Sequence, residues 1–153
     1  MKRVVELALN EALAEALVEQ CLFRSWFLSK TCFTGTECEC VLTRSDNPWT
    51  TATVEITNAE TGVVERIARQ GETDVLAVFK PGDGRDCFAL HVENKLAHSR
   101  FTKYQPEGYA ARAAKWVGDP RYGNYQAWQT VLIAPVAFRS RFPVQVEDRK
   151  SVV

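Results

Sequence analysis

No stretch of this chain approaches the roughly 20 consecutive apolar residues that a membrane-spanning helix needs. Its N-terminal MKRVVELALNEALAEAL is broken by glutamates where a secretory signal would carry an uninterrupted apolar core. A cytoplasmic protein without a membrane partner is therefore expected. An excess of either charge is also missing: 19 Lys and Arg balance 19 Asp and Glu, so no global field attracts a polyanion and any nucleic-acid surface must be a local patch. TCFTGTECEC carries a Cys-x-Cys at Cys38 and Cys40, but no second cysteine or histidine pair stands at a spacing that completes a zinc site. Cys21, Cys32, Cys38, Cys40 and Cys87 read instead as reduced, partly buried thiols. Repeats, low-complexity tracts and linkers are absent as well, and 153 residues suit one domain spanning 1–153.

What the chain does have is periodicity. Val5, Leu9, Ala12, Leu13, Ala16 and Leu17 recur at three- and four-residue intervals among good helix formers, which predicts one long helix from Lys2 to about Leu28. Gly35, Asp46, Asn47 and Pro48 mark residues 30–50 as loop around a short strand at ECVLT. TATVEITNA and GVVERIARQ form two strands joined at Glu60, Thr61 and Gly62. TDVLAVF and DCFALHVEN form the clearest strand pair, turned by PGDGR. QPEGYAARAAKW reads as a helix with Pro106 in its first turn, and QTVLIAP as a buried strand stopped at Pro135. The expected fold is α/β: a mixed β-sheet with an antiparallel meander, flanking helices, and a parallel crossover from CFALHVEN to TVLIAP.

The strand pair raises a chemical question. A turn centred on the Asp83–Gly84 bond sets Asp74 directly opposite Glu93, and Lys95 lies two positions further on the same face. Facing carboxylates repel by roughly 0.2–1 kcal/mol on an open sheet, and by more where solvent is excluded. A divalent cation between them removes the conflict. Mg²⁺, commonly held by one or two carboxylates plus water, suits two such oxygens, and a neighbouring ammonium can orient water and stabilise charge on a phosphate. A surface ion pair at a sheet edge would account for the same residue types. Against it, Leu76, Val78 and Ala89 on the charged face, and Val75, Ala77, Phe79, Phe88, Leu90 and Val92 on the other, make this a central strand pair with its charges at one end.

Asp74, then eighteen residues, then ENK as Glu-x-Lys, resembles the PD-(D/E)XK nuclease superfamily, the restriction-endonuclease-like proteins, over residues 3 to 135. The αβββαβ order of that core is similar to the order read above. QPEGY resembles the Gln-x-x-x-Tyr of several branches, with Gln105 and Tyr109 one helical turn apart. NEALAEAL resembles a first helix whose glutamate reaches the site, Glu11 matching best and Glu15 next, and TVLIAP resembles the last core strand. The family proline is missing, since GETD stands where Pro-Asp would. The resemblance implies hydrolysis of phosphodiesters, in DNA first, with Mg²⁺ or Mn²⁺ held by Asp74, Glu93 and the Asn94 carbonyl. It further implies that Lys95 positions the attacking water, that Gln105, Tyr109 and Glu11 support the site, and that a homodimer forms. A nuclease-fold module that binds nucleic acid or protein without cleaving is the rival. His91 shares the Glu93 face and reads as a satisfied core histidine rather than a ligand, and the tail FRSRFPVQVEDRKSVV has no counterpart.

A local basic patch follows the strand pair. Arg100, Lys103, Arg112, Lys115 and Arg121 are interleaved with Tyr104, Tyr109, Trp116 and Tyr122, a composition that suits phosphate contacts as well as a solvated helix flank with inward aromatics. Arg112 lies on the Tyr109 face of the helix, and no base-reading motif accompanies the patch.

Overall fold

The computed structural model describes residues 2–147. The chain opens with α1 (Lys2–Glu19) and α2 (Cys21–Leu28). β1 (Cys38–Arg44), β2 (Trp49–Thr57), β3 (Val64–Glu72), β4 (Val75–Pro81) and β5 (Phe88–Asn94) follow, then α3 (Gln105–Lys115), β6 (Ala127–Ile133), α4 (Val136–Arg141) and α5 (Pro143–Glu147). A mixed four-stranded sheet has the order β1-β4-β5-β6, parallel only between β5 and β6, while β2 and β3 pair in a separate hairpin.

The long first helix is interrupted. Gln20 is extended, with φ −110° and ψ 96°, because Arg24 folds back and donates through Nη1 to the carbonyls of Leu17 (2.9 Å) and Val18 (3.1 Å), ending α1. Nε of the same guanidinium reaches the Cys38 carbonyl at 3.1 Å and ties the helix break to β1. The buried side of α1 also differs from the one the apolar spacing suggests. Asn10, Leu13, Ala14 and Leu17 are buried, whereas Val5 and Leu9 are exposed.

The expected meander is corrected in one respect. β1, β4 and β5 are consecutive antiparallel neighbours, but between β1 and β4 the chain leaves the sheet to form the β2–β3 hairpin. At the hairpin's turn Asn58 Oδ1 accepts from the backbone N–H groups of Glu60 and Thr61, and Gly62 takes the left-handed conformation at φ +70°. Ala52 and Val54 supply its buried side.

The register of β4 and β5 is the one set by the Asp83–Gly84 turn: Val75 faces Val92 and Phe79 faces Phe88. Both sheet faces are covered, so the two strands are apolar on both sides, as double burial requires. Val75, Ala77, Phe79, Phe88, Leu90 and Val92 pack with Leu13, Leu17, Phe27 and Leu28 of the first two helices. Leu76, Val78 and Ala89 pack with Trp116 and Tyr125 on the other side. The tail supplies Phe138, Phe142 and Val146, which close over Leu132 and Phe101. Its last residues, 148–153, lie outside the described range.

Candidate functional site

Where β4 begins and β5 ends, the buried sheet delivers polar side chains into the interior. Glu93 has no exposed surface, Lys95 has 9% of its side chain exposed, and their Oε1 and Nζ atoms are 3.0 Å apart. Asp74, one residue before β4, reaches across to β5, where its Oδ2 accepts from the Asn94 N–H at 2.8 Å. Lys95 N–H donates to the Ile133 carbonyl at 2.8 Å, so the lysine is fixed to the parallel strand β6 as well.

The helix after the loop grips this cluster at two points. Gln105 Oε1 accepts from Lys95 Nζ at 2.9 Å and from Thr102 N–H at 2.9 Å, while the Arg100 carbonyl accepts from the same ammonium at 3.1 Å. The loop is thereby wrapped around the charge. One turn along α3, the Tyr109 hydroxyl accepts from the Asp74 N–H at 3.1 Å. Gln105 and Tyr109 thus each hold one member of the Asp74–Lys95 pair.

Behind the cluster runs a one-way string of hydrogen bonds. Tyr125 donates its hydroxyl proton to the Ala113 carbonyl, so the 3.0 Å contact with His91 must be donated by Nε2–H. His91 Nδ1 is then the acceptor from Thr73 Oγ1 at 3.3 Å, and Thr73 Oγ1 accepts from Arg112 Nε at 3.3 Å. Burial presses the His91 pKa down to about 3, aided by the Arg112 charge, and the imidazole stays neutral. It is a satisfied core residue.

Burial also acts on the two groups nearest the surface. It raises the Asp74 carboxyl above its usual range despite the Asn94 N–H and the Lys95 charge, and it lowers the Lys95 ammonium despite Asp74 and Glu6. Desolvation outweighs attraction at both, and a bound cation would reverse the effect at Asp74.

Several expected residues stand elsewhere. Glu11 is exposed, and so is Glu15, because the buried face of α1 runs through Asn10, Leu13 and Leu17. The helix residues that reach the site are Asn10, whose Oδ1 accepts from Asn94 Nδ2, and Glu6, whose charge acts on Lys95. Residues 6, 10, 13 and 17 share one helical face, the signal that picks out Glu6 and Asn10. Arg112 is 4% exposed and serves as a structural tie, donating from Nη2 to the Glu72 carbonyl at 2.6 Å and lying over the Tyr109 ring at 4.6 Å. Lys115 is tied to β2 through Thr50 Oγ1 (2.9 Å) and the Thr51 carbonyl (2.6 Å). Arg100 and Lys103 are exposed, and Lys103 lies over Tyr104.

No protein-family model, no curated protein and no solved structure matches this chain. Its own donors are the guide to what it can hold. Among the described residues no three His, Cys, Asp or Glu side chains converge as a metal cluster, and all five cysteines are free thiols. Asp74 and Glu93 supply hard carboxylate oxygens, while the Asn94 side chain, whose Oδ1 no described group donates to, lies on the other sheet face with Asn10. Such a set leaves most of a coordination sphere to water or substrate, which fits Mg²⁺ better than Ca²⁺ or Zn²⁺. Among the described residues no helix is long and apolar enough to cross a membrane.

Proposed function

We propose that this protein is a Mg²⁺-dependent nuclease with a restriction-endonuclease-like core, hydrolysing phosphodiester bonds in DNA. The observation that carries the reading is that Lys95, at the end of two paired central strands, is ion-paired to Glu93 and acted on by the charge of Asp74, with Lys95 held by Gln105 and Asp74 by Tyr109. The connectivity supports it: apart from the β2–β3 excursion, the sheet is built in the order helix, three antiparallel strands, helix, parallel strand.

Asp74 and Glu93, with the main-chain carbonyl of Asn94, would hold the ion. When bound, it supplies Lewis-acid stabilisation of the charge that builds on the phosphate. The protein does the rest by position. Lys95 presents an ammonium whose proton burial has loosened, so it can orient the attacking water and support the phosphate oxygens. Gln105 and the Arg100 carbonyl fix its Nζ, and Tyr109 fixes the backbone from which Asp74 projects.

The test is incubation with supercoiled and linear DNA in Mg²⁺, Mn²⁺ or EDTA, with Asp74→Ala and Lys95→Ala alongside. Metal-dependent cleavage that falls by at least about 10²-fold in both variants is expected. DNA left intact by the wild type in every metal refutes the enzyme. One observation favours a non-cleaving binding module: Glu93 is wholly buried and already ion-paired with Lys95. On that reading the DNA is shifted on a gel and stays uncut.

A further inference from the structure

Beside the Asp74–Lys95 site, and sharing Gln105 with it, lies a cleft of about 410 Å³ between β3 and the start of α3. One wall is Arg69 to Glu72 on β3, and the other is Thr102 to Gln105 with Gly108. Arg112 forms the floor. Three cationic side chains, Arg69, Lys103 and Arg112, meet there, against the single carboxylate of Glu72.

The floor is shaped for the guanidinium. A Cβ on Gly71 would overlap Arg112 Nη1, and one on Gly108 would lie 3.2 Å from the same atom. Glycine at both positions therefore lets Nη1 sit between strand and helix. Nε and Nη2 of Arg112 are engaged by Thr73 and Glu72, and among the described residues nothing accepts from the two N–H groups of Nη1, which remain for the cleft. At the mouth, Arg69 and Lys103 both lie over the Tyr104 ring, at 5.3 and 5.0 Å. Arg69 Nη2 also donates to the Lys103 carbonyl at 3.4 Å, which ties the two walls together. Tyr104 itself takes the left-handed backbone conformation at φ 59°, uncommon for a bulky residue.

We propose that this cleft binds a phosphate of a polynucleotide strand next to the one being cleaved, with Arg112 Nη1 donating from below and Arg69 and Lys103 closing from the two walls. The identification of the ligand as a polynucleotide rests on the nuclease reading; the anion site rests on the cleft itself. A cavity of this size takes one small anionic group with its neighbours rather than a duplex. It also gives the β2–β3 hairpin a purpose, since the excursion from the sheet builds one wall of the cleft.

The experiment is fluorescence anisotropy of a labelled single-stranded 12-mer in EDTA, titrated from 50 to 200 mM KCl, with cleavage in Mg²⁺ read separately. Arg69→Ala and Lys103→Ala should each weaken binding by roughly 3- to 10-fold and lower the salt slope by about 0.7. Gly71→Ala should weaken binding to a similar degree, because its methyl displaces Nη1. Arg66→Ala, which removes a β3 charge ion-paired to Glu55 outside the cleft, should leave binding unchanged within about twofold. Arg69 and Lys103 are at the cleft mouth, so their variants keep the test valid if Gly71→Ala does not fold.

Wild-type affinity and slope in the Arg69 and Lys103 variants, or a 12-mer that does not bind, overturns the proposal. Inorganic phosphate that competes with the 12-mer at concentrations comparable to the strand's own phosphates overturns the polynucleotide assignment and leaves a free-anion site. Absence of cleavage alongside the expected binding losses removes the nuclease and leaves the cleft.

Discussion

Replacing Lys95 by Met removes the cation from a place where water cannot substitute for it. Glu93 keeps no exposed surface, and its partner ammonium is 3.0 Å away. Removing one member of such a buried pair costs about 3–5 kcal/mol, because the other charge is stranded; an exposed pair would cost about 0–1. Methionine fills most of the lysine's volume and packs on Phe101, over whose ring Lys95 Nζ lies at 5.3 Å, so the loss is electrostatic rather than a cavity. Glu93→Gln should cost less, because Lys95 keeps Gln105 Oε1 and the Arg100 carbonyl as acceptors. In the double variant Glu93→Gln/Lys95→Met no charge is stranded, and its loss should fall at least about 2 kcal/mol below the sum of the singles. Urea unfolding at pH 7 in EDTA reads all three. With a slope of about 2 kcal/mol per molar, Lys95→Met should lower the midpoint by about 2 M. A cost under about 1 kcal/mol for Lys95→Met, or additive singles, would show that the pair behaves like a surface contact and would remove the electrostatic basis of the site.

Two further outcomes follow from the same surroundings. Tyr109→Phe takes away the acceptor of the Asp74 N–H and should cost about 1–2 kcal/mol in urea unfolding, together with a loss of Mg²⁺-dependent cleavage; unchanged stability refutes the clamp. Burial holds the Asp74 carboxyl above its ordinary value, so the folded protein binds that proton more tightly than the unfolded chain does. Its contribution to stability is complete below the unfolded value, near about 4, and is lost as pH rises through the folded value. Asp74→Asn should therefore gain stability relative to the wild type between pH 4 and pH 7 in EDTA, and a difference that does not change with pH sinks the assignment.

The central strands were readable because double burial forces apolar residues onto both faces, and the Asp83–Gly84 turn then fixes which residues face each other. That turn alone places Asp74 across from the end of β5. Gln105 and Tyr109 were readable as one helix face, although what each would grip was not. The first helix misled for a physical reason. Val5 and Leu9 keep the apolar rhythm and are nevertheless exposed, while Asn10 on the buried face finds its partner in Asn94, 84 positions along the chain. Charge counting left Arg112 undecided for a similar reason: a basic residue one turn beyond Tyr109 reads alike whether its guanidinium is on the surface or, as here, buried as a tie. The two small residues that admit its guanidinium, Gly71 and Gly108, lie on different elements. Arg24 as the terminator of α1 depends on a fold-back to carbonyls six and seven residues earlier, which helical periodicity does not encode.

The string of hydrogen bonds through Thr73, His91 and Tyr125 departs from α3 at Arg112 and comes back to it at Ala113, the very next residue. It is a stitch: thread leaves the helix, passes through the threshold of β4 and the middle of β5, and is knotted where it started. Helix and strands are thereby coupled as one piece, and a change in the length or polarity of any one link is felt at both ends of the thread.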